Sequence, residues 1–237
     1  MVVGGLILTA ATSAGASVLV WKDSAHRRLI VLARLNYSSS ELDDASVAKT
    51  AVAGTKEIER MWNEPQASVN VDGTPYRVVF EVESALVTSF HKWFDTFAMD
   101  PYDDKSCATN FIDVRELVDT GDRSNYDLDG QEGIFYTSDQ IGTSTTAAHE
   151  FGHAMGLNHP ADAGQWREPV PGIMFPRGTF VKSQFQWDPK ATFTQKGGTL
   201  NPIYRHVRAV DVQAVGFQNL NFNDAGLACV GAGQPIW

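Results

Sequence analysis

The stretch "HEFGHAMGLNHP" (residues 149–160) sets three of the chain's six histidines within eleven residues, with Glu150 beside the first. On an α-helix, residues four apart lie about 40° apart around the axis, so His149 and His153 project from one face. Two imidazoles placed this way can share one ion, and imidazole is a normal zinc ligand. Glu150 lies one residue on, about 100° round the helix. That is too far to join the pair as a ligand without strain, yet it allows the carboxylate to reach a water beside the ion, as a general base must. Gly156 supplies the left-handed backbone that ends a helix. His159 can then swing in from the turn as a third nitrogen. Three ligands leave one position open, which marks a catalytic rather than a structural zinc. No fourth side-chain ligand is at hand in this segment.

The rest of the composition limits what such a site serves. At 237 residues the chain holds one large domain or two small subdomains with a proper core. A hydrophobic share of 43% with 20% charged residues describes an ordinary globular protein rather than a disordered or fibrous one. The net charge of −9 gives no electrostatic reason to expect nucleic acid or an anionic membrane as partner. Cys107 and Cys229 belong to no CxxC pattern, so a thiolate zinc site is excluded. They form either one disulfide, suited to an oxidising compartment, or two buried thiols. Residues 2–21 carry no charge. A buried strand or hairpin is the preferred reading of them, with a targeting or membrane segment and the cut edge of a longer polypeptide as alternatives.

Around the motif the pattern is one of strands and helices. "RLIVLARLNYS" (residues 28–38) reads as a strand, and the segment from Ser38 to Asn63 as a helix with apolar positions Val47, Ala51, Ile58 and Met61. Asp72-Gly73 between two alternating runs is a hairpin signal. "ATNFIDVREL" (108–117) and "EGIFYTS" (132–138) supply two more strands, and the motif helix is expected over about 144–157. Beyond it Pro160, Pro169, Pro171, Pro176 and Pro189 point to long loops, with a last short helix over 207–217. The boundary between subdomains is therefore expected at residue 159, giving 1–159 and 160–237. Asn125, Asp127, Asp129 and Gly130 have the spacing that opens a calcium loop, but Tyr136 stands where the bidentate glutamate belongs, which favours a plain Asp-Gly turn.

The pattern H-E-x-x-H-x-x-G-x-x-H resembles that of the metzincin metalloproteases, in its matrixin and serralysin branch most of all. "PVPGIMFPRG" (169–178) offers Met174 for the methionine turn that this family places beneath the metal, and "RAVDVQAVGF" (208–217) resembles its final helix. The specific likeness covers about the last ninety residues. It implies an α+β fold: a twisted mixed sheet with a long helix and an active-site helix, followed by a loop-rich C-terminal subdomain. It also implies one catalytic Zn2+ held by His149, His153 and His159, with Glu150 as the base that cleaves peptide bonds. On this reading residues 133–138 form the edge strand of the cleft, so that Gly133, Ile134 and Phe135 contact an extended peptide. Phe175 stands where some metzincins carry a tyrosine. Oxyanion stabilisation must then come from the metal or another donor, for which Tyr204 and His206 are the candidates. No cysteine-switch segment or calcium-binding glycine repeat is present. The expected partner is a peptide or protein substrate, met outside the cytoplasm. Peptidoglycan stem peptides are an alternative substrate. Another alternative is an effector carried by a larger secretion protein and countered by an inhibitor or immunity protein.

Overall fold

The computed structural model describes residues 18–87, 107–116, 123–126, 131–161, 170–176, 179, 181–187 and 200–231. Among these residues eight strands form one mixed sheet. Its centre is β2 (Arg28–Ser38), where Leu29, Ile30 and Val31 are all buried, as expected of an inner strand. From there the chain enters α1 (Asp44–Asn63), whose start is fixed by Asp43 accepting the Ser46 N–H at 2.7 Å. The helix buries Val47, Ala51, Ile58 and Met61, the positions read from the sequence, and Trp62 beside them. The hairpin β3 (Ser68–Val71) and β4 (Thr74–Leu86) follows. At its turn Asp72 and Gly73 have φ of 51° and 76°, both left-handed, as a tight two-residue turn demands.

The strands β5 (Thr109–Arg115), β6 (Asn125–Tyr126) and β7 (Glu132–Tyr136) complete one side, giving the order β3-β4-β2-β5-β7-β6. β4, β2, β5 and β7 run parallel, and β6 is antiparallel to β7. The edge strand expected at residues 133–138 is therefore displaced inward. β6 covers it, with Asn125 opposite Ile134 and Tyr126 opposite Gly133.

β1 (Val18–Asp23) pairs with the first half of β2, residues 28–32, while β5 takes the second half, residues 34–38. Residues 18–21 of the uncharged N-terminal stretch thus lie in a strand, and residues 2–17 fall outside the described residues. The last strand, β8 (Leu227–Val230), returns to pair with β1. That return brings Cys229 to Cys107, just before β5, and the two form a disulfide with Cα atoms 5.8 Å apart. No helix among the described residues is long and apolar enough to cross a membrane.

The motif helix α2 (Thr146–Ala154) packs on α1. Trp62 joins them to the sheet, its ring centroid 5.4 Å from Phe80 and 6.2 Å from Phe151. A short α3 (Ala209–Ala214) lies within the last helix expected from the sequence. The calcium-loop reading rests on Asp127, Asp129 and Gly130, which lie outside the described residues.

Candidate metal centre

Helix α2 is only nine residues long and ends where glycine permits. Gly156 has φ of 84°; its N–H meets the His153 carbonyl at 2.8 Å, and the Leu157 N–H meets the Gly152 carbonyl at 3.0 Å. These are the two bonds of a Schellman ending. The reversal carries His159 back over the helix, so that its Nε2 lies 3.1 Å from that of His149 and 3.0 Å from that of His153.

The rings are held from behind. His149 Nδ1 meets the Ile173 carbonyl at 2.8 Å, and His153 Nδ1 meets the Leu157 carbonyl at 2.6 Å. A carbonyl only accepts, so each Nδ1 carries the proton and each Nε2 turns a lone pair inward. Converging lone pairs call for a cation between them. Nitrogens bound to zinc at 2.0–2.1 Å in a tetrahedron stand about 3.3 Å apart, close to the two spacings that His159 makes here, and all three ligand atoms lie within 4.8 Å of one another. Burial holds His149 well below the usual histidine range, with the charge of Arg205 adding to the effect. Burial lowers His153 as well, and takes His159 down to about 4. Neutral rings are the form that ligates. The donor set fits zinc.

Glu150 is 6% exposed, with Oε1 4.0 Å from His149 Nε2. Burial pushes its carboxyl up to about 8, against the pull of the Arg205 guanidinium and the Tyr126 backbone N–H. It faces a cavity of about 430 Å³ shared with the three histidines. Arg123, Ser124, Asn125 and Tyr126 form part of the lining, so β6 and its approach make one wall. Asp139, also in the lining, accepts the Ser124 N–H at 2.8 Å, and the Ser124 hydroxyl accepts the Tyr136 N–H at 2.9 Å.

Met174 lies in a turn beneath α2, 5% exposed, with its sulfur against Gly152. A Cβ at position 152 would collide with that sulfur, so the glycine inside the motif is a packing requirement. Gly133, Ile134 and Phe135 do not line the cavity. Phe135 is 1% exposed, its ring edge-on to Tyr37, and β6 stands between β7 and the open edge. Tyr204 and His206 are likewise outside it. Tyr204 is turned outward against Phe185, and His206 bridges Glu64 and the Ile203 carbonyl at the surface. The cause is a tight turn in which the Tyr204 and Arg205 N–H groups both bond the Asn201 carbonyl. It points the intervening residue inward and its two neighbours away.

That intervening residue, Arg205, is 4% exposed and lines the cavity. Sequence reasoning passed over it, since an isolated arginine is most often at the surface. Glu57 of α1 was missed in the same way. It is 2% exposed; its Oε1 accepts the Ala148 N–H at 3.1 Å and its Oε2 the Gly142 N–H at 2.8 Å. Trp62 Nε1 donates to the Ala148 carbonyl at 3.0 Å. Helix α1 thus grips both backbone groups of the residue before His149.

No known family model matches the chain, and no curated protein does. Solved structures give distant likenesses. A chain in a chaperone–substrate complex aligns at a TM-score of 0.45 with 14% identity, over 81% of this chain and 34% of that one. This chain therefore spans about a third of that protein's length. Archaemetzincin from Methanopyrus kandleri aligns at 0.38 with 10% identity, over 79% of this chain and 96% of that one. OgpA from Akkermansia muciniphila aligns at 0.34 with 10% identity, over 94% and 69%. Scores of this size define no family, and the reading of the site rests on its own geometry.

Proposed function

We propose that the protein is a zinc-dependent endopeptidase, with His149, His153 and His159 as the ligands and Glu150 as the general base. The observation that carries this is the convergence of the three Nε2 atoms beside a buried carboxylate in an open-mouthed cleft. Bound there, zinc would supply Lewis acidity towards a peptide carbonyl and towards water. Glu150 takes the proton of the attacking water and returns it to the departing amine nitrogen. β6 is the terminal strand on its side of the sheet among the described residues, and an extended peptide would add along it by main-chain hydrogen bonds. Phe175 brings no hydroxyl to the oxyanion, for which a bound zinc would supply Lewis acidity. Work outside the cytoplasm accords with the Cys107–Cys229 disulfide.

The test is Glu150→Gln assayed on an unfolded protein substrate with zinc added. Cleavage is expected to fall by about 10²–10⁴-fold with zinc binding retained. An unchanged rate overturns the assignment.

A further inference from the structure

Arg205 comes from a segment 56 residues beyond His149, yet its guanidinium ends between the metal centre and the turn beneath it. Nη1 donates to the Thr145 hydroxyl at 3.1 Å, at the residue that starts α2. Nη2 lies 2.6 Å from the Ile173 carbonyl, 2.5 Å from the Phe175 carbonyl and 2.8 Å from His149 Nδ1. A guanidinium Nη has two hydrogens, so it serves two of these three atoms. The carbonyls have no proton of their own, and His149 Nδ1 also needs the Ile173 carbonyl as its acceptor. The count closes one way. Both Nη2 hydrogens go to Ile173 and Phe175, and His149 keeps its Nδ1 proton and gives it to the second lone pair of the Ile173 carbonyl.

We propose that Arg205 is a positioning residue for the metal centre: by clamping the Ile173–Phe175 turn it presents the Ile173 carbonyl that holds His149 with Nδ1 protonated and Nε2 free for the ion. The inference rests on the reading of His149 as a zinc ligand. Arg205 sits behind the His149 ring, on its Nδ1 side. It acts through the turn, and the fork geometry of arginine is what spans Thr145 and the two carbonyls at once, which a lysine cannot do. The same clamp ties the start of α2, the Met174 turn and the segment after Asn201 into one unit.

The experiment compares the full chain with Arg205→Met and Arg205→Lys, and with His206→Ala as a neighbour outside the cavity. Zinc affinity is measured by competition with a chelating dye, and the visible spectrum is recorded with cobalt(II) in place of zinc. The wild type and His206→Ala are expected to bind one ion with one shared cobalt spectrum. Arg205→Met and Arg205→Lys are expected to bind about 10–100-fold more weakly, the usual effect of losing the partner behind a ligand. Their cobalt spectra should be altered, with lysine failing to restore either property although it keeps the charge. Should the arginine variants fail to fold, ¹⁵N spectra of the wild type's histidine side chains give the second measurement: His149 must carry its proton on Nδ1 before any ion is added. Affinities and spectra equal to wild type in the variants overturn the proposal, as does an Nε2-protonated His149. A wild type that binds no ion would instead refute the zinc reading itself.

Discussion

Replacing Glu57 by alanine tests whether α1 holds α2 in place. The carboxylate is 2% exposed and accepts two backbone N–H groups, at Ala148 and Gly142. Ala148 is fully buried, so its N–H finds no water after the substitution; an orphaned buried donor costs about 1–3 kcal/mol. Gly142 is half-buried, and water offsets part of its loss. The helix has no side-chain cap at Thr145 to fall back on, and Thr145 already has φ of 68°. Together these terms give about 2–4 kcal/mol. For a chain of this size each kcal/mol moves the melting temperature by about 2–4 °C, so Tm should fall by roughly 5–15 °C. Scanning calorimetry of wild type and Glu57→Ala, each with zinc removed, measures it. A shift below about 2 °C would mean that the cap contributes nothing and that α2 stands without it.

The same residue predicts a pH dependence. Burial holds Glu57 above the ordinary carboxylate range despite the N–H groups it accepts. Through that window the folded chain keeps a proton that the unfolded chain has lost, so its contribution falls as pH rises. Glu57→Gln, which has no proton to lose, should therefore gain on the wild type in urea melts as pH is raised from 4; a constant difference would contradict this. Gly152→Ala drives a methyl into the Met174 sulfur and should cost about 1–3 kcal/mol. Adding Met174→Ala makes room, so the double variant should lose less than the sum of the singles in denaturant titrations, and strict additivity would count against the contact. Reducing Cys107–Cys229 opens a link between residues 122 apart in sequence, with up to about 5 kcal/mol of chain entropy at stake. The urea midpoint should drop on adding reductant, and an unmoved midpoint would show that β8 holds without the link.

What could be read from the sequence was local. The offsets within residues 149–159 contain the helix face, its ending at Gly156 and the return of His159, because every one of those bonds joins residues no more than ten positions apart. The strand at 28–38 and the turn at Asp72-Gly73 were legible for the same reason. β6 was not: two residues cannot show an alternation, so β7 was taken for the edge. Nor could sequence tell a disulfide from two thiols, since the pairing depends on β8 finding β1 across the whole chain. Glu57 and Arg205 are ordinary charged residues until the fold buries them, 91 and 60 positions from the backbone or side-chain atoms they bind in and before α2. Tyr204 and His206 drew notice for their chemistry, but the turn at Asn201 decides which side chain faces inward.

The brevity of α2 bears on the order in which the protein assembles. Nine residues are too few for a helix to persist in water, and its N-cap residue, Thr145, makes no side-chain cap. The pair His149 and His153 therefore acquires its shared face only when Glu57 and Trp62 of α1 close on Ala148. On the proposed zinc reading, a chain in which α1 has not yet closed on α2 carries the ligands but not the site. Metal uptake would then be coupled to the docking of α2, and chelation is expected to loosen the cleft before it melts the sheet.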